Sequence, residues 1–92
     1  MSLKNTSDEL GYVQVTSLAA AAGLGTVPTG ATYAIIQAEA QGVRWRDDGI
    51  DPTSTVGMTI AAGAELRYDG NLRGIRFIEV AASAKLNVSF YC

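Results

Sequence analysis

The chain has 92 residues, a formal net charge of −2 and 17% charged residues, below the roughly 25% of a typical soluble domain. One domain of this size buries only about 60 to 65 per cent of its unfolded surface on folding, so we expect it to complete its burial against a partner subunit. The seven Lys and Arg residues are scattered among nine acidic residues, and the missing basic patch excludes nucleic acid as the main partner.

The first part of the chain contains a polar stretch, a strand pattern and an alanine-rich run. Residues 4–10 are polar and mixed in charge, which predicts a flexible or partner-bound arm over residues 1–10, before a single β domain of residues 11–92. Tyr12–Thr16 alternates with period two, so we expect a strand. Leu18–Leu24 predicts either one short helix near residues 18–23 or a compact loop. This apolar run is far shorter than the roughly 20 residues of a membrane span, so we expect no membrane partner.

The middle of the chain carries two strand patterns in succession. In Tyr33–Ala40 the small apolar side chains alternate with larger or polar ones, so the expected core face consists of Ala34, Ile36, Ala38 and Ala40. Val43–Asp47 follows after Gln41-Gly42, a pair that permits a tight reversal. We therefore predict that these two segments form a hairpin.

Four further short strand patterns complete the chain, and turn signals separate them. They are Gly57–Ile60, Glu65–Tyr68, Ile75–Val80 and Leu86–Tyr91. In the last of them, apolar and polar residues alternate cleanly, which is typical of a strand with one buried face. Short strands at this spacing, without a long helical pattern, indicate an all-β fold. We predict a small single-domain β-sandwich or jelly-roll-like barrel of about seven strands.

The segment between residues 43 and 53 concentrates side chains that are common in recognition surfaces. The single tryptophan stands between two arginines and precedes an acidic turn. Strand alternation places Trp45 on the core side and both arginines on the opposite face, where the aspartates are their expected partners. Tryptophan and arginine are enriched among residues that dominate binding energies. We therefore predict a contact surface formed by Arg44, Trp45, Arg46, Asp47, Asp48 and Asp51.

Binding of a cation is the alternative to a protein contact in this segment. Asp47, Asp48 and Asp51 are close enough in sequence to ligate a cation such as calcium. An EF-hand loop beginning at Asp47 requires a glutamate where this chain has Met58, so we expect a structural turn and keep the cation as an alternative. Because histidine is absent and no carboxylate pair is distinguished by its surroundings, we expect neither an enzyme nor a cofactor.

Several short motifs resemble those of a family of small bacteriophage and prophage proteins. The resemblance covers about residues 24 to 91, and its centre is the Arg-Trp-Arg-Asp-Asp-Gly run followed by Pro-Thr. The segments that carry it are Val27–Ala34, Val43–Gly49, Pro52-Thr53, Val56–Met58, Ala62-Gly63, Phe77-Ile78 and Leu86–Tyr91. Members of this family are commonly found among virion structural genes and are usually described only as hypothetical or structural.

The resemblance implies a noncatalytic virion component, such as a head decoration, head-fibre or tail-associated protein. Its expected partners are further copies of itself, with a trimer as the first guess, and other virion proteins. The expected location is the virion, after expression in the bacterial host cytoplasm. The alternative is a carbohydrate- or receptor-binding module of a phage particle that uses Trp45, Tyr68, Tyr91 and the Asp47–Asp51 loop. A hydrolase is a third possibility, and it would require a pocket with convergent acidic residues.

Overall fold

A computed structural model describes residues 9–92 and confirms the predicted all-β class. Within this range there are seven strands, and all their pairings are antiparallel. The four-stranded sheet has the order β1-β7-β2-β5 and the three-stranded sheet has the order β4-β3-β6. The strands are β1 (Glu9–Val15), β2 (Tyr33–Glu39), β3 (Val43–Arg46), β4 (Met58–Ile60), β5 (Glu65–Tyr68), β6 (Arg76–Glu79) and β7 (Lys85–Tyr91).

The core lies between the two sheets and is formed by alternate residues of the strands. In β2 and β7 the buried positions are those predicted from period-two alternation, except that Ala40 lies beyond β2 and is exposed. Val43 of β3, Ile60 of β4 and Phe77 of β6 close the core from the other sheet. The fully buried side chains from the four-stranded sheet are Ala34, Ile36, Ala38, Leu86, Val88 and Phe90.

The predicted hairpin between the second and third strands is wrong. β2 pairs with β5 and β7, whereas β3 pairs with β4 and β6 in the other sheet. Residues 40–42 carry the chain from one sheet to the other, and Ala40 adopts a left-handed φ of 71° there. Alternation predicts only that each strand has one buried face. Two strands stacked across a core satisfy that pattern as well as two strands side by side.

The possible short helix near residues 18–23 is also wrong, because this segment uses its backbone groups to bond β6. The amide of Ala22 donates to the carbonyl of Phe77 at 2.8 Å, and the amide of Phe77 donates back at 2.7 Å. The carbonyl of Leu18 accepts from the amide of Glu79 at 2.9 Å. Leu18 and Leu24 are buried in the core. The segment is therefore a loop fixed to an edge of the three-stranded sheet, the alternative that the sequence left open.

The first strand that the structure describes begins slightly before residue 11, the predicted start of the domain. β1 begins at Glu9, which lies opposite Tyr91 in the ladder with β7. Residues 1–8, the rest of the predicted arm, lie outside the described residues. In the part of the chain that the structure describes, no helix has the length and apolar character needed to cross a membrane.

Candidate functional site

Trp45 sits where the core of the sandwich meets the solvent. In the three-stranded sheet it lies opposite Phe77 of β6 on one side and Met58 of β4 on the other. Phe77 is fully buried, whereas 61% of Met58 is exposed. Since paired residues project from the same face of a sheet, this row of side chains runs from the core to the surface. The half-buried Trp45 packs against the core at the middle of that row.

Tyr68, at the end of β5 in the opposite sheet, holds the indole in place. Its ring meets that of Trp45 edge to face, with centroids 5.8 Å apart and planes at 65°, a favourable aromatic geometry. The Tyr68 hydroxyl donates to Asp47 Oδ2 at 2.7 Å and accepts from the amide of Asn71 at 2.9 Å. Burial, and then the hydrogen bond to the Asp47 carboxylate, raises the pKa of Tyr68 to about 12. The two sheets are therefore tied together beneath the site.

Arg46 and Asp48 form an ion pair at the surface. Arg46 Nε donates to Asp48 Oδ1 at 3.0 Å, and Nη2 donates to Oδ2 at 2.5 Å. The hydrogen bonds to Arg46 lower the pKa of the Asp48 carboxyl, and the same bonds raise the pKa of the Arg46 guanidinium. Two parallel bonds orient both groups, although solvent screens their attraction. The pair forms a charged margin beside Trp45.

Arg44 binds backbone carbonyls instead of the predicted aspartates. Its Nη1 donates to the carbonyl of Gly57 at 2.9 Å, and its Nε donates to the carbonyl of Ser54 at 3.1 Å. Gly57 has a φ of 142°, and a Cβ there would lie 3.1 Å from the carbonyl oxygen of Trp45. Arg44 therefore positions the turn that precedes β4, and glycine at residue 57 permits the close approach of that turn to β3.

These elements enclose an open cleft of about 530 Å³ at the end of the sandwich. We name it the Trp45 cleft, and its lining residues are Trp45, Arg46, Asp47, Asp48, Val56, Gly57 and Met58. Of the six residues predicted from the sequence, four line it. Arg44 binds the carbonyls of Ser54 and Gly57 and does not line the cleft, and neither does the exposed Asp51.

The sequence reasoning missed the apolar side of the Trp45 cleft. Val56 is 51% exposed and belongs to a small turn closed by backbone hydrogen bonds with Thr53. Met58 reaches the cleft because it pairs with Trp45 in the ladder. The signal in the sequence was the apolar character of Val56 and Met58, which flank Gly57 at the start of the predicted strand Gly57–Ile60. That pattern does not specify which strand lies opposite.

Two of the other predicted roles concern metal binding and aromatic clustering. Within residues 9–92, no group of three or more acidic or cysteine side chains has the geometry to hold a metal ion. Of the three aromatics assigned to a sugar-binding platform, Trp45 and Tyr68 are in contact. Tyr91 lies elsewhere, because it is on the outer face of the four-stranded sheet while Tyr68 is on the inner face. These three rings therefore do not form one surface.

No protein-family model matches the chain, and no curated protein or solved structure shows a significant similarity to it.

Proposed function

We propose that the protein is a noncatalytic structural component of a bacteriophage or prophage particle that works by contacts made through the Trp45 cleft. The observation that carries this proposal is the exposed apolar pair beside the tryptophan, Val56 at 51% and Met58 at 61%. Large exposed apolar side chains that adjoin one another mark interaction sites on soluble proteins. The motif resemblance to small virion proteins supports the placement in a particle, as a head decoration, head-fibre or tail-associated protein.

The composition of the Trp45 cleft suits a protein partner. Tryptophan, methionine and arginine are the residue types enriched in protein interfaces, and a polar margin around an apolar centre excludes water from the contact. Here Trp45 and Met58 form the centre, and the Arg46–Asp48 ion pair forms part of the margin. Because Tyr68 and the core already hold Trp45, its side chain loses little conformational freedom when a partner binds.

The partner that we propose first is a further copy of the same chain, in a homo-oligomer for which a trimer is the first choice. A stable contact of this kind buries more than about 1,000 Å², which the Trp45 cleft and its surroundings contribute in part. Other virion proteins are the second class of partner.

Sedimentation equilibrium tests the oligomer. We expect a mass of three times the 9.6 kDa of the chain for the wild type. Met58→Asp places an unpaired charge in the proposed contact and is expected to give monomers. Val80→Asp is the matched control, since Val80 is another exposed apolar residue, at 47%, outside the Trp45 cleft. A monomeric wild type, or loss of assembly in both variants alike, would refute the use of this cleft.

Mass spectrometry of purified particles tests the virion role. We expect peptides of this chain in particles released from the strain that carries its gene, in a constant ratio to the major capsid protein. In particles assembled with Met58→Asp, the peptides should fall to background while the Val80→Asp control is retained. Absence of the wild-type chain from purified particles would contradict the structural role.

A further inference from the structure

A second candidate surface lies on the outer face of the four-stranded sheet, away from the Trp45 cleft. It is a shallow trough of about 230 Å³ that crosses β1, β7, β2 and β5. Its floor includes the half-buried Ile35 and Ser89, and Tyr12 and Tyr91 line it with their rings. The volume is somewhat below the roughly 300 Å³ at which typical small-molecule pockets begin, which suits one sugar ring of a longer chain.

At one end of the trough, the Tyr91 ring is fixed by packing against neighbouring side chains. Tyr91 of β7 and Tyr33 of β2 stack with centroids 5.1 Å apart and planes within 12° of parallel. The guanidinium of Arg67, on β5, lies 4.0 Å from the centre of the Tyr33 ring. This row of three side chains crosses three strands, and each member restricts the next. Tyr91 therefore presents a fixed ring to the trough, so binding costs little side-chain entropy.

A hydrogen-bond network of side-chain amides, the Tyr12 hydroxyl and the Glu39 carboxylate occupies the other end. Asn87 is at its centre, where Oδ1 accepts from Tyr12 Oη at 2.6 Å and from Gln14 Nε2 at 2.9 Å. Asn87 Nδ2 donates to Gln37 Oε1 at 3.3 Å and to Glu39 Oε1 at 2.8 Å. These bonds use the capacity of Asn87 and orient the surrounding groups. The hydroxyl of Tyr12 can still accept a hydrogen bond, and the Gln37 amide nitrogen can still donate one.

The stacked Tyr91 ring, the exposed Tyr12 ring and the oriented amides of Asn87 and Gln37 point to one class of ligand. A sugar ring presents C–H groups that pack on an aromatic face and hydroxyls that both donate and accept, and this trough offers partners for both. Glu65 lines the trough, Glu39 accepts from Asn87 and Glu9 accepts from Ser89. These three carboxylates disfavour an anionic glycan by charge repulsion. We propose that the outer face of the four-stranded sheet binds a neutral glycan, independently of the assembly contact proposed for the Trp45 cleft.

The test is a titration of the isotopically labelled protein, followed by NMR, with four neutral oligosaccharides: cellohexaose, maltohexaose, laminarihexaose and chitohexaose. We expect at least one of them, at concentrations up to about 1 mM, to shift the amide signals of β2 and β7 next to the trough. Heparin hexasaccharide is the anionic probe and should leave those signals unchanged. Shifts with heparin alone, or no shifts with any neutral oligosaccharide, would overturn the proposal.

Substitutions at the trough separate stacking from hydrogen bonding. Tyr12 is 60% exposed, so replacing it is not expected to disturb folding. Tyr12→Ala should weaken the affinity for the active oligosaccharide by about tenfold or more, and Tyr12→Phe, which keeps the ring, should retain part of it. Gln37→Ala should also weaken binding. Unchanged affinity in both Tyr12→Ala and Gln37→Ala would place the ligand elsewhere and refute the site.

Met58→Asp distinguishes this inference from the proposed function. The substitution lies in the Trp45 cleft and outside the trough, so it should leave the oligosaccharide affinity unchanged even where it abolishes assembly. Loss of affinity in Met58→Asp would overturn the independence of the two surfaces.

Discussion

Replacing Tyr68 with phenylalanine tests the link between the two sheets beneath the Trp45 cleft. The change keeps the buried ring and its edge contact with Trp45 but removes the hydroxyl that joins Asp47 and the amide of Asn71. A neutral hydrogen bond contributes about 1 kcal/mol and one to a charged group roughly 1.5 to 3 kcal/mol. Because Asp47 is exposed and regains water, we expect a loss of about 2 kcal/mol in the free energy of unfolding.

For a domain of this size, that loss lowers the melting temperature by roughly 10 °C. Urea unfolding at neutral pH measures the free energy directly. Tyr12→Phe is the matched control, since Tyr12 also donates to a side-chain oxygen but is 60% exposed; its effect should stay within about 0.5 kcal/mol. Equal stability of Tyr68→Phe and the wild type would show that the Tyr68 hydroxyl does not hold the sheets together.

The contribution of the Tyr68–Asp47 hydrogen bond to stability should also depend on pH in the alkaline range. The pKa of Tyr68 is raised from 10.0 to about 12 in the folded protein, so the stability that this shift represents is fully present below pH 10. As the pH rises from 10 through about 12, the unfolded chain releases this proton first and the stability is lost. The difference between the wild type and Tyr68→Phe should therefore narrow over this range. A constant difference would contradict the stated cause of the shift.

Two further substitutions probe the surroundings of the Trp45 cleft. Gly57→Ala places a side chain at a φ of 142°, with its Cβ 3.1 Å from both Arg44 Cβ and the Trp45 carbonyl oxygen. We therefore expect urea unfolding to show that the free energy of unfolding falls by about 1 to 3 kcal/mol. Unchanged stability would show that the turn can move away from β3. Asp48→Asn removes the exposed ion pair with Arg46, and the midpoint of urea unfolding should not change measurably at neutral pH. In the wild type, a carboxyl titration followed by NMR should place the pKa of Asp48 below its ordinary value, and an ordinary value would mean that the ion pair does not persist in solution.

Local pattern was sufficient to predict the strands and much of the core, but not the way in which the strands associate. The alternation in β2 and β7 identifies their buried faces, because one face of each strand must avoid water. Which strands become neighbours depends on contacts between distant segments. Gln41-Gly42 permits a reversal and therefore predicts a hairpin turn. In the structure both edges of β2 are paired, with β7 and β5, so β3 lies in the other sheet.

The residues of the Trp45 cleft also come partly from one continuous segment and partly from distant segments of the chain. Trp45, Arg46, Asp47 and Asp48 are contiguous, so a single segment of sequence predicts them together. Met58 joins them only through its register with Trp45, and register cannot be derived from either segment alone. The role of Tyr68 also follows from stacking across the sandwich. The sequence therefore predicts Trp45 and the charged residues of the cleft but not Val56 and Met58.

The position of β7 between β1 and β2 has a consequence for the route by which the chain folds. β1 and β2 do not pair with each other. Each of them completes its backbone hydrogen bonds only when β7 pairs with it. During synthesis the segments of β1 and β2 therefore have strand edges that stay unpaired until β7 has emerged. Pairing between such distant segments makes folding slow, and the waiting strands are exposed to aggregation. A chaperone or slow expression at low temperature should accordingly raise the soluble yield more than it would for a protein built from local hairpins.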